Sequence, residues 1–294
     1  MEYGDKHILV LGAGASGIGA SWVLAQVGAH VVLNDYKPVT LPATEEERLV
    51  SAGVEIITGR QDESLLDGVD RIVISPGISL DIPIVKTAQA RGIDVVSEVE
   101  LAYEVSKSPI VAVTGTNGKT TTTTLLTKVL EGSGKPVRVG GNIGDSLSEV
   151  AYSMPAGGFL VAELSSYQLE TIKHFRPIGA IMLNITPDHL ARHKTMENYI
   201  AAKERIFENQ LKSDYLVLNI DDSVVADMEH RAPSHILQIS QKQTVENGAY
   251  YANGQCYVVK NGVATAVIGD EDIHIPGSHN IENILTVIAL TYAL

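Results

Sequence analysis

Short apolar runs alternate with longer stretches of helical period along most of the 294-residue chain. The helical stretches include Ala20–Val27 and Thr121–Gly132. Short buried strands separated by amphipathic helices are typical of a parallel sheet with helices on both faces, so the pattern predicts an α/β fold. The apolar runs predicted as strands are Ile8–Leu11, Val31–Asn34, Arg71–Ser75, Ile110–Thr114, Phe159–Leu164 and Ala180–Ile185.

The last quarter of the chain has a different pattern. Two Asn-Gly pairs, Asn253-Gly254 and Asn261-Gly262, separate runs rich in Tyr and Val, as the type I′ turns of β-hairpins do. They predict a small antiparallel meander over about Ala249–Ile268. Pro276-Gly277 then breaks the chain before a final apolar helix that begins near His279.

Composition excludes several classes of protein. A net charge of −13 argues against nucleic-acid binding, which needs a basic face. The single cysteine, Cys256, excludes a disulfide framework and a cysteine-based zinc site. No apolar run approaches the roughly 20 residues of a membrane span, and the N-terminus reads as a first strand rather than a signal peptide. We therefore expect a soluble cytoplasmic protein without a membrane partner.

The first predicted strand runs directly into a glycine-rich turn, Gly12-Ala13-Gly14-Ala15-Ser16-Gly17. This GxGxxG pattern between a strand and a helix allows the backbone to approach a phosphate at the helix N-terminus. Asp35, at the end of the second strand, stands where a ribose-binding acid belongs. The alternative is a glycine turn that only packs the helix against the sheet. The ligand need not be NAD, because the same geometry holds any diphosphate.

A second glycine-rich loop, Thr114-Gly115-Thr116-Asn117-Gly118-Lys119-Thr120-Thr121, lies between the strand at Ile110 and a helix. A P-loop needs backbone N–H groups around the phosphates, a lysine for the β/γ oxygens and a hydroxyl on Mg²⁺. Gly118, Lys119 and Thr120 supply these parts. The strict pattern has glycine where this chain has Val113, so the loop is a variant of it.

Other polar residues are ambiguous when read alone. Glu163 ends an apolar strand and either holds Mg²⁺ at the crevice of a parallel sheet or is a solvated loop residue. His189 is either a metal or substrate ligand or a structural imidazole, and we expect the nearby His193 and His174 to be surface residues. Lys203 lies in a helical stretch, where a lysine is ordinarily solvated. Asn280 and Asn283 share a helix face and either cap that helix or contact a base edge.

Taken together, the motifs TGTNGKTT, NITPDH, YIAAKERIF and GSHNIEN resemble those of the Mur ligase family in order and spacing. Members of this family form amide bonds in peptidoglycan assembly and consume ATP. The segments ELSSYQLE, GAGASG and ISPGI resemble the D-glutamate-adding branch in particular. The resemblance covers all 294 residues. It implies ATP, D-glutamate and UDP-N-acetylmuramoyl-L-alanine as small-molecule partners and a monomeric protein.

The resemblance also assigns roles. It implies that Lys119 neutralises the β/γ-phosphates, that Thr120 and Glu163 hold one Mg²⁺, and that His189 and a carbamylated Lys203 hold a second. A carbamate derived from CO₂ would replace a cation by an oxygen ligand suited to a hard ion. The implied ATP contacts are Gly115, Thr116, Asn117, Gly118, Lys119, Thr120, Thr121, Asn280 and Asn283. The implied contacts to the UDP-linked substrate are Ala15, Ser16, Asp35, Tyr36, Lys37 and Gly77 on its uridine and diphosphate side, and Asn142, Ser165, Gln168 and His189 on its sugar–alanine side.

The alternation of elements restarts at Ile110 after a charged segment, Ser97–Ser108. We therefore predict a Rossmann-like, substrate-binding domain over residues 1–97. A central P-loop domain over residues 98–294 follows, with a mostly parallel sheet and the small meander. The family has a third domain that binds D-glutamate, and we expect this chain to lack it, to bind the UDP-linked substrate and to be inactive alone. The alternative is a nucleotide-binding module without ligase activity.

Overall fold

The computed structural model of the protein describes residues 3–294. The described chain packs as two compact units, and each unit is discontinuous in sequence. The N-terminal unit consists of the residues up to Lys107, Gly144–Met154 and Tyr167–Phe175, and the central unit consists of Ser108–Ile143, Pro155–Ser166 and Arg176–Leu294. The domain division after residue 97 stays a prediction.

Two sheets, of five and nine strands, organise the described residues. The strands of the first sheet are β1 (His7–Leu11), β2 (His30–Asp35), β3 (Glu55–Thr58), β4 (Arg71–Ile74) and β5 (Asp94–Ser97). The strands of the second are β6 (Ile110–Thr114), β7 (Val137–Gly141), β8 (Phe159–Glu163), β9 (Gly179–Met182), β10 (Tyr215–Asn219), β11 (His235–Ser240), β12 (Gly248–Ala252), β13 (Gln255–Lys260) and β14 (Val263–Gly269).

Helices connect most of these strands. They are α1 (Ala15–Gln26), α2 (Ala43–Ser51), α3 (Pro83–Ala90), α4 (Glu98–Val105), α5 (Lys119–Glu131), α6 (Leu147–Ser153), α7 (Ser166–Leu169), α8 (Leu190–His193), α9 (Met196–Glu204), α10 (Ser223–Asp227) and α11 (Ser278–Ala293). Short 3₁₀ turns cover Glu63–Leu66, Arg205–Phe207, Met228–His230 and Asp270–Asp272. No helix among residues 3–294 is long and apolar enough to cross a bilayer.

The N-terminal sheet has the strand order β3-β2-β1-β4-β5, and every neighbouring pair is parallel. Its central strand, β1, is apolar on both faces, because Leu9 packs in one core cluster and Val10 in the other. A strand buried on both faces reads as a continuous apolar run, which is why Ile8–Leu11 was recognisable from sequence. The parallel α/β fold predicted for this region is confirmed.

The central sheet has the order β14-β13-β12-β11-β10-β9-β6-β8-β7. It is parallel from β7 through β12, and β12-β13-β14 is the antiparallel meander that the Asn-Gly pairs predicted. Both asparagines and both following glycines have positive φ, between 51° and 77°, as type I′ turns require. Strand β6, which leads into the P-loop, lies between β9 and β8.

Two local predictions need correction. Strand β9 ends at Met182 rather than at Ile185, because Asn184 and Ile185 turn away to bind other loops. His193 was expected at the surface, but it is 7% exposed and lies within hydrogen-bond distance of Ser166 (Nε2···Oγ 2.9 Å). His174, expected at the surface as well, is exposed.

Candidate active site

The P-loop conformation depends on two glycines. Gly115 has φ +151°, and a Cβ there would lie 2.8 Å from the Cβ of Leu183. Gly118 is the N-cap of α5 with φ +84°, and its Cβ would lie 2.7 Å from Oδ1 of Asn283. Both positions therefore exclude a side chain, by conformation and by close approach. The loop that results aims the start of α5 at the carboxyl edge of the sheet, where parallel sheets bind ligands.

Lys119 is the first residue of α5, and its side chain folds back over the loop. Its Nζ donates to the carbonyl oxygens of Gly115 (3.1 Å) and Thr116 (2.8 Å). Burial lowers the pKa of Lys119, while the nearby carboxylates of Glu163 and Asp188 oppose that shift. The ammonium group therefore lies inside the loop, as the P-loop assignment requires.

A carboxylate and a hydroxyl meet at the end of β8. Glu163 is 1% exposed, and its Oε2 accepts from Thr120 Oγ1 at 2.9 Å. Its Oε1 accepts from Asn142 Nδ2 at 2.8 Å. Glu163 is therefore not a solvated loop residue. The pair of Thr120 and Glu163 presents hard oxygen ligands of the kind that Mg²⁺ prefers, so these residues fit a metal of that type.

The second lysine of the site is buried rather than solvated. Lys203, on α9, is 2% exposed, and its Nζ donates to Gly115 O (2.7 Å) and Thr114 Oγ1 (3.3 Å). Burial, reinforced by the charge of Lys119, lowers the pKa of Lys203 to about 7, and Asp188 acts in the opposite direction. The Lys119 and Lys203 amines thus share one carbonyl oxygen, that of Gly115.

Sequence reasoning missed Tyr199, one turn before Lys203 on α9. Its ring is 1% exposed and lies 5.1 Å from Nζ of Lys203, a cation–π distance. Its hydroxyl is 3.0 Å from Oγ1 of Thr116, in the P-loop. The spacing of Tyr199 and Lys203, four residues apart on one helix face, was the signal that could have found it.

The loop after β9 is bound to the P-loop by main-chain and side-chain hydrogen bonds. The Asn184 side chain accepts from Asn117 N (2.8 Å) and donates to Asn117 O (3.1 Å). Thr186 N donates to Thr116 Oγ1 at 3.0 Å. Asp222, which sequence reasoning also missed, caps α10 and accepts from Ile185 N at 2.9 Å. Asn184 and Asp222 therefore fix the position of this loop against the P-loop.

His189 follows in the same loop. It adopts a left-handed backbone conformation, with φ 53°, and it is the N-cap of α8. Its ring is half exposed, and its centroid lies 6.4 Å from that of Tyr199. Lys203 and His189 therefore both lie against the Tyr199 ring. No group of three or more His, Cys, Asp or Glu side chains within residues 3–294 is arranged to hold a metal, so any second site needs other ligands.

The two asparagines of α11 belong to a buried chain of hydrogen bonds. Asn283 Oδ1 accepts from Thr122 Oγ1 (3.0 Å), and its Nδ2 donates to Asn280 Oδ1 (3.0 Å). Asn280 Nδ2 donates to Pro276 O at 2.7 Å. The N-cap of α11 is Gly277, so neither asparagine caps that helix. The chain links α11 to α5 directly behind the P-loop, and adenine contact by these residues stays a prediction.

The first glycine-rich loop lies in the N-terminal unit. A Cβ on Gly17 would lie 1.8 Å from the carbonyl oxygen of Gly12, so α1 packs on the loop only with glycine there. Asp35 accepts from Ala13 N through Oδ2 and from Lys37 N through Oδ1, each at 3.0 Å. The predicted ribose-binding carboxylate therefore also fixes the shape of this loop.

The remaining predicted contacts are divided between the two units. Ala15, Tyr36, Lys37 and Gly77 are exposed, and Ser16 is half-buried. Gln168 is 2% exposed and belongs to the N-terminal unit. Asn142, Ser165 and His189 belong to the central unit. The residues that the structure brings together around the P-loop are Lys119, Thr120, Asn142, Glu163, Lys203 and Asn283.

Comparison with protein families gives two matches. Residues 113–291 match the Mur ligase middle domain, and residues 6–97 match the Mur ligase MurD-like N-terminal domain. The first match includes every residue gathered around the P-loop in this structure, and the second includes the GxGxxG loop and Asp35.

Two curated relatives of this chain share a name. A UDP-N-acetylmuramoylalanine--D-glutamate ligase of Thermoanaerobacter pseudethanolicus is 46% identical over 292 residues, which are 99% of this chain and 64% of the relative. One of Pelotomaculum thermopropionicum is 42% identical over 293 residues, with 100% and 64% covered. The chain therefore spans about 64% of the length of these relatives.

Solved structures of lower identity share the fold. A UDP-N-acetylmuramate:L-alanyl-gamma-D-glutamyl-meso-diaminopimelate ligase from Neisseria meningitides gives a TM-score of 0.64 at 22% identity, covering 98% of this chain and 94% of that one. The MurC of Thermotoga maritima, a UDP-N-acetylmuramate-alanine ligase, gives 0.52 at 22% identity, covering 98% and 65%. Because the middle-domain match alone covers more than half of the sequence, this chain belongs to the Mur ligase family.

Proposed function

We propose that this chain supplies the UDP-substrate and ATP sites of a cytoplasmic ligase that joins D-glutamate to UDP-N-acetylmuramoyl-L-alanine in peptidoglycan precursor synthesis. The names of the relatives support this substrate choice. The observation that carries it is the convergence of Lys119 and Lys203 on the carbonyl oxygen of Gly115, at 3.1 and 2.7 Å. A generic nucleotide-binding loop needs only the first of these amines.

The proposed reaction has two steps. The γ-phosphoryl group of ATP moves to a carboxylate oxygen of the L-alanine end, and ADP leaves. The amine of D-glutamate then attacks the carbonyl carbon of this acyl phosphate, loses a proton and displaces phosphate. Phosphoryl transfer asks mainly for positioning and charge neutralisation, and Lys119 with the backbone N–H groups of the loop supplies both.

Metal ions would assist this chemistry by neutralising the phosphate oxygens. Thr120 and Glu163 would hold one Mg²⁺, because their oxygens already meet at 2.9 Å. His189 and Lys203 would hold the second, with Lys203 converted to a carbamate. As an unmodified ammonium, Lys203 would repel a cation, whereas a carbamate contributes an anionic oxygen.

The environment of Lys203 favours this modification. A neutral amine is required to attack CO₂, which forms a C–N bond and releases a proton. Because burial lowers the pKa of Lys203 to about 7, a far larger fraction of its amine is neutral at pH 7 than for an exposed lysine with a pKa near 10.5. Conversion of Lys203 to a carbamate also removes the charge repulsion between Lys203 and Lys119.

Uptake of ¹³CO₂ followed by NMR tests the assignment. At a fixed concentration of dissolved CO₂, the carbamate signal should rise as the pH is raised through 7, because deprotonation of Lys203 supplies the neutral amine and carbamate formation then releases a further proton. The Lys203→Arg variant should give no such signal. Exposed Lys212 is the matched control, and Lys212→Arg should keep the signal. A signal that survives in a folded Lys203→Arg protein would refute the carbamate.

The alternative, a nucleotide-binding module without ligase activity, predicts different ligands. Calorimetric titration with Mg·ATP, NADH and the UDP-linked substrate separates the two. The ligase proposal expects Mg²⁺-dependent ATP binding, binding of the UDP-linked substrate and no NADH signal. NADH binding without Mg²⁺-dependent ATP binding would favour the alternative.

A further inference from the structure

Helix α4 carries a buried carboxylate whose partners are all main-chain groups. Glu100 is 0% exposed. Its oxygens accept from the backbone N–H groups of three consecutive residues, Lys173 (2.7 Å), His174 (2.8 Å) and Phe175 (3.0 Å). Three N–H donors aimed at one carboxylate stabilise its charge in a buried place, and such charge-assisted bonds are stronger than neutral ones.

These three residues end a segment, Tyr167–Phe175, that packs in the N-terminal unit although the chain before and after it belongs to the central unit. Two further contacts hold its end. Lys173 forms an ion pair with Asp94, and the ring of Phe175 meets that of Tyr103 edge to face at 6.0 Å. Glu100 therefore anchors the C-terminal end of a segment that starts in α7.

Helix α4 carries a second buried glutamate two residues earlier. Glu98 is 1% exposed, and its Oε1 accepts from Ser148 N (3.0 Å), Ser148 Oγ (2.9 Å) and Ser146 Oγ. These serines lie in Gly144–Met154, the other segment that leaves the central unit to pack in the N-terminal one. Through these two buried glutamates, α4 thus binds both of the segments that leave the central unit.

Both anchored segments adjoin residues that the proposed function places at the sugar–alanine part of the substrate. Gln168 lies in the segment held by Glu100, and Ser165 comes two residues before that segment. Asn142 precedes the segment held by Glu98 by two residues. Glu100 and Glu98 do not contact these three residues. They fix the backbone of the segment that contains Gln168 and of the segments that follow Ser165 and Asn142.

We propose that Glu100, assisted by Glu98, is a positioning residue for the UDP-linked substrate: it fixes the main chain of residues 173–175 and thereby the turn that carries Gln168. This inference rests on the proposed function, since it needs a ligand that extends beyond UDP. The hydrogen-bond donors to Glu100 belong to residues 173–175 and not to the first glycine-rich loop, which would bind UDP itself; it is Glu98 that binds Ser16 of that loop. The expected effect is therefore confined to the sugar–alanine part of the ligand.

The test compares two glutamates of the same helix. Glu100→Gln removes the charge and turns one acceptor into a donor that opposes the N–H groups. Glu104→Gln is the matched control, because Glu104 binds Arg71 and Tyr3 instead. Calorimetry gives the affinities for UDP, UDP-N-acetylmuramoyl-L-alanine and Mg·ATP, and a thermal melt gives the stability of each variant.

We expect Glu100→Gln to weaken binding of the full substrate about tenfold while the affinities for UDP and Mg·ATP stay within about twofold. Glu104→Gln should lower the melting temperature and leave all three affinities unchanged. If Glu100→Gln does not fold, Glu100→Asp serves as the test variant, since it keeps the charge but its side chain is shorter by one methylene group. It should reduce the preference for full substrate over UDP.

The experiment distinguishes a failure of the proposed function from a failure of the positioning role of Glu100. If the wild-type chain binds the full substrate no more tightly than UDP, the proposed function is at fault. If the wild type shows that preference and the folded Glu100 variants retain it unchanged, the positioning role is overturned and Glu100 only stabilises the fold. An equal loss of preference in Glu104→Gln would also overturn it, because the effect would then be general to α4.

Discussion

The two glycine-rich loops have the same place in their sheets but opposite charges around them. Each follows an interior parallel strand and opens a helix, β1 to α1 and β6 to α5. The first loop is held by a carboxylate, because Ala13 N donates to Asp35 at 3.0 Å. The second loop is held by lysine side chains, because Lys119 and Lys203 both donate to Gly115 O, and Lys119 brings a positive charge to it.

This difference indicates which ligand each loop can accept. A carboxylate beside a phosphate-sized turn favours a ligand that brings hydroxyl or N–H donors, such as a ribose. The ammonium group of Lys119 beside a turn favours several negative charges on neighbouring oxygens, as in a triphosphate. The two glycine-rich turns therefore share a backbone conformation, and a few side chains at the ends of neighbouring strands and helices determine which ligand each favours. This is expected where one fold carries different functions.

Replacing Lys119, the positively charged residue of the P-loop, should have the largest effect of the substitutions that test the difference between the two loops. Lys119→Ala is expected to weaken Mg·ATP binding by at least about 100-fold, because no other group replaces its charge at the β/γ oxygens. UDP binding should be unchanged. Calorimetric titration measures both, and Lys128→Ala is the control, since Lys128 is exposed on α5 and pairs with Glu131. Unaltered ATP affinity in a folded Lys119→Ala protein would contradict the P-loop assignment.

Adding a side chain to the first glycine-rich loop should have the next largest effect, a loss of stability. Gly17→Ala places a Cβ 1.8 Å from the main-chain oxygen of Gly12, which has little room to move. We expect a loss of about 1–3 kcal/mol in the free energy of unfolding, as for overpacked cores. Urea denaturation measures it. Gly14→Ala is the matched control, because its Cβ would meet nothing within 4 Å. Equal stability of the two variants would show that the loop is not close-packed.

The smallest effect should come from neutralising the first loop's carboxylate. Asp35→Asn keeps the shape and one acceptor, so we expect about tenfold weaker UDP binding and unchanged Mg·ATP binding. Asp70→Asn is the control, because Asp70 also accepts a backbone N–H, that of His7, at the opposite end of β1. A similar loss in both variants would assign the effect to sheet stability rather than to the ligand.

The sequence predicted the elements whose signals are local. Gly12 and Gly118 lie where a strand must turn sharply into a helix, and Asn253-Gly254 and Asn261-Gly262 have the chemistry of their turns. These signals depend on neighbouring residues only, so β1, the P-loop and the meander were recognisable before the fold was known.

The rest depended on contacts between distant residues. A lysine or glutamate in a helix reads as solvated, and nothing near Lys203 or Glu100 in sequence reveals that each is buried. His193 was expected at the surface because its partners, Ser166 and Tyr199, are set by the tertiary fold. The two segments that leave the central unit were missed for the same reason, since their helical patterns are ordinary ones.

The discontinuity of the two units has a consequence for biosynthesis. The chain passes from one unit to the other after Lys107, Ile143, Met154, Ser166 and Phe175. A nascent chain leaves the ribosome from its N-terminus, at about 5–20 residues per second, and domains usually fold in that order. Here the first unit lacks two of its segments until residue 175 has been made, by which time β6, β7 and β8 already exist. A nascent chain that stops at Lys107 would leave Glu98 and Glu100 without their N–H donors, so the N-terminal unit can be completed only after the first three strands of the central unit have been made.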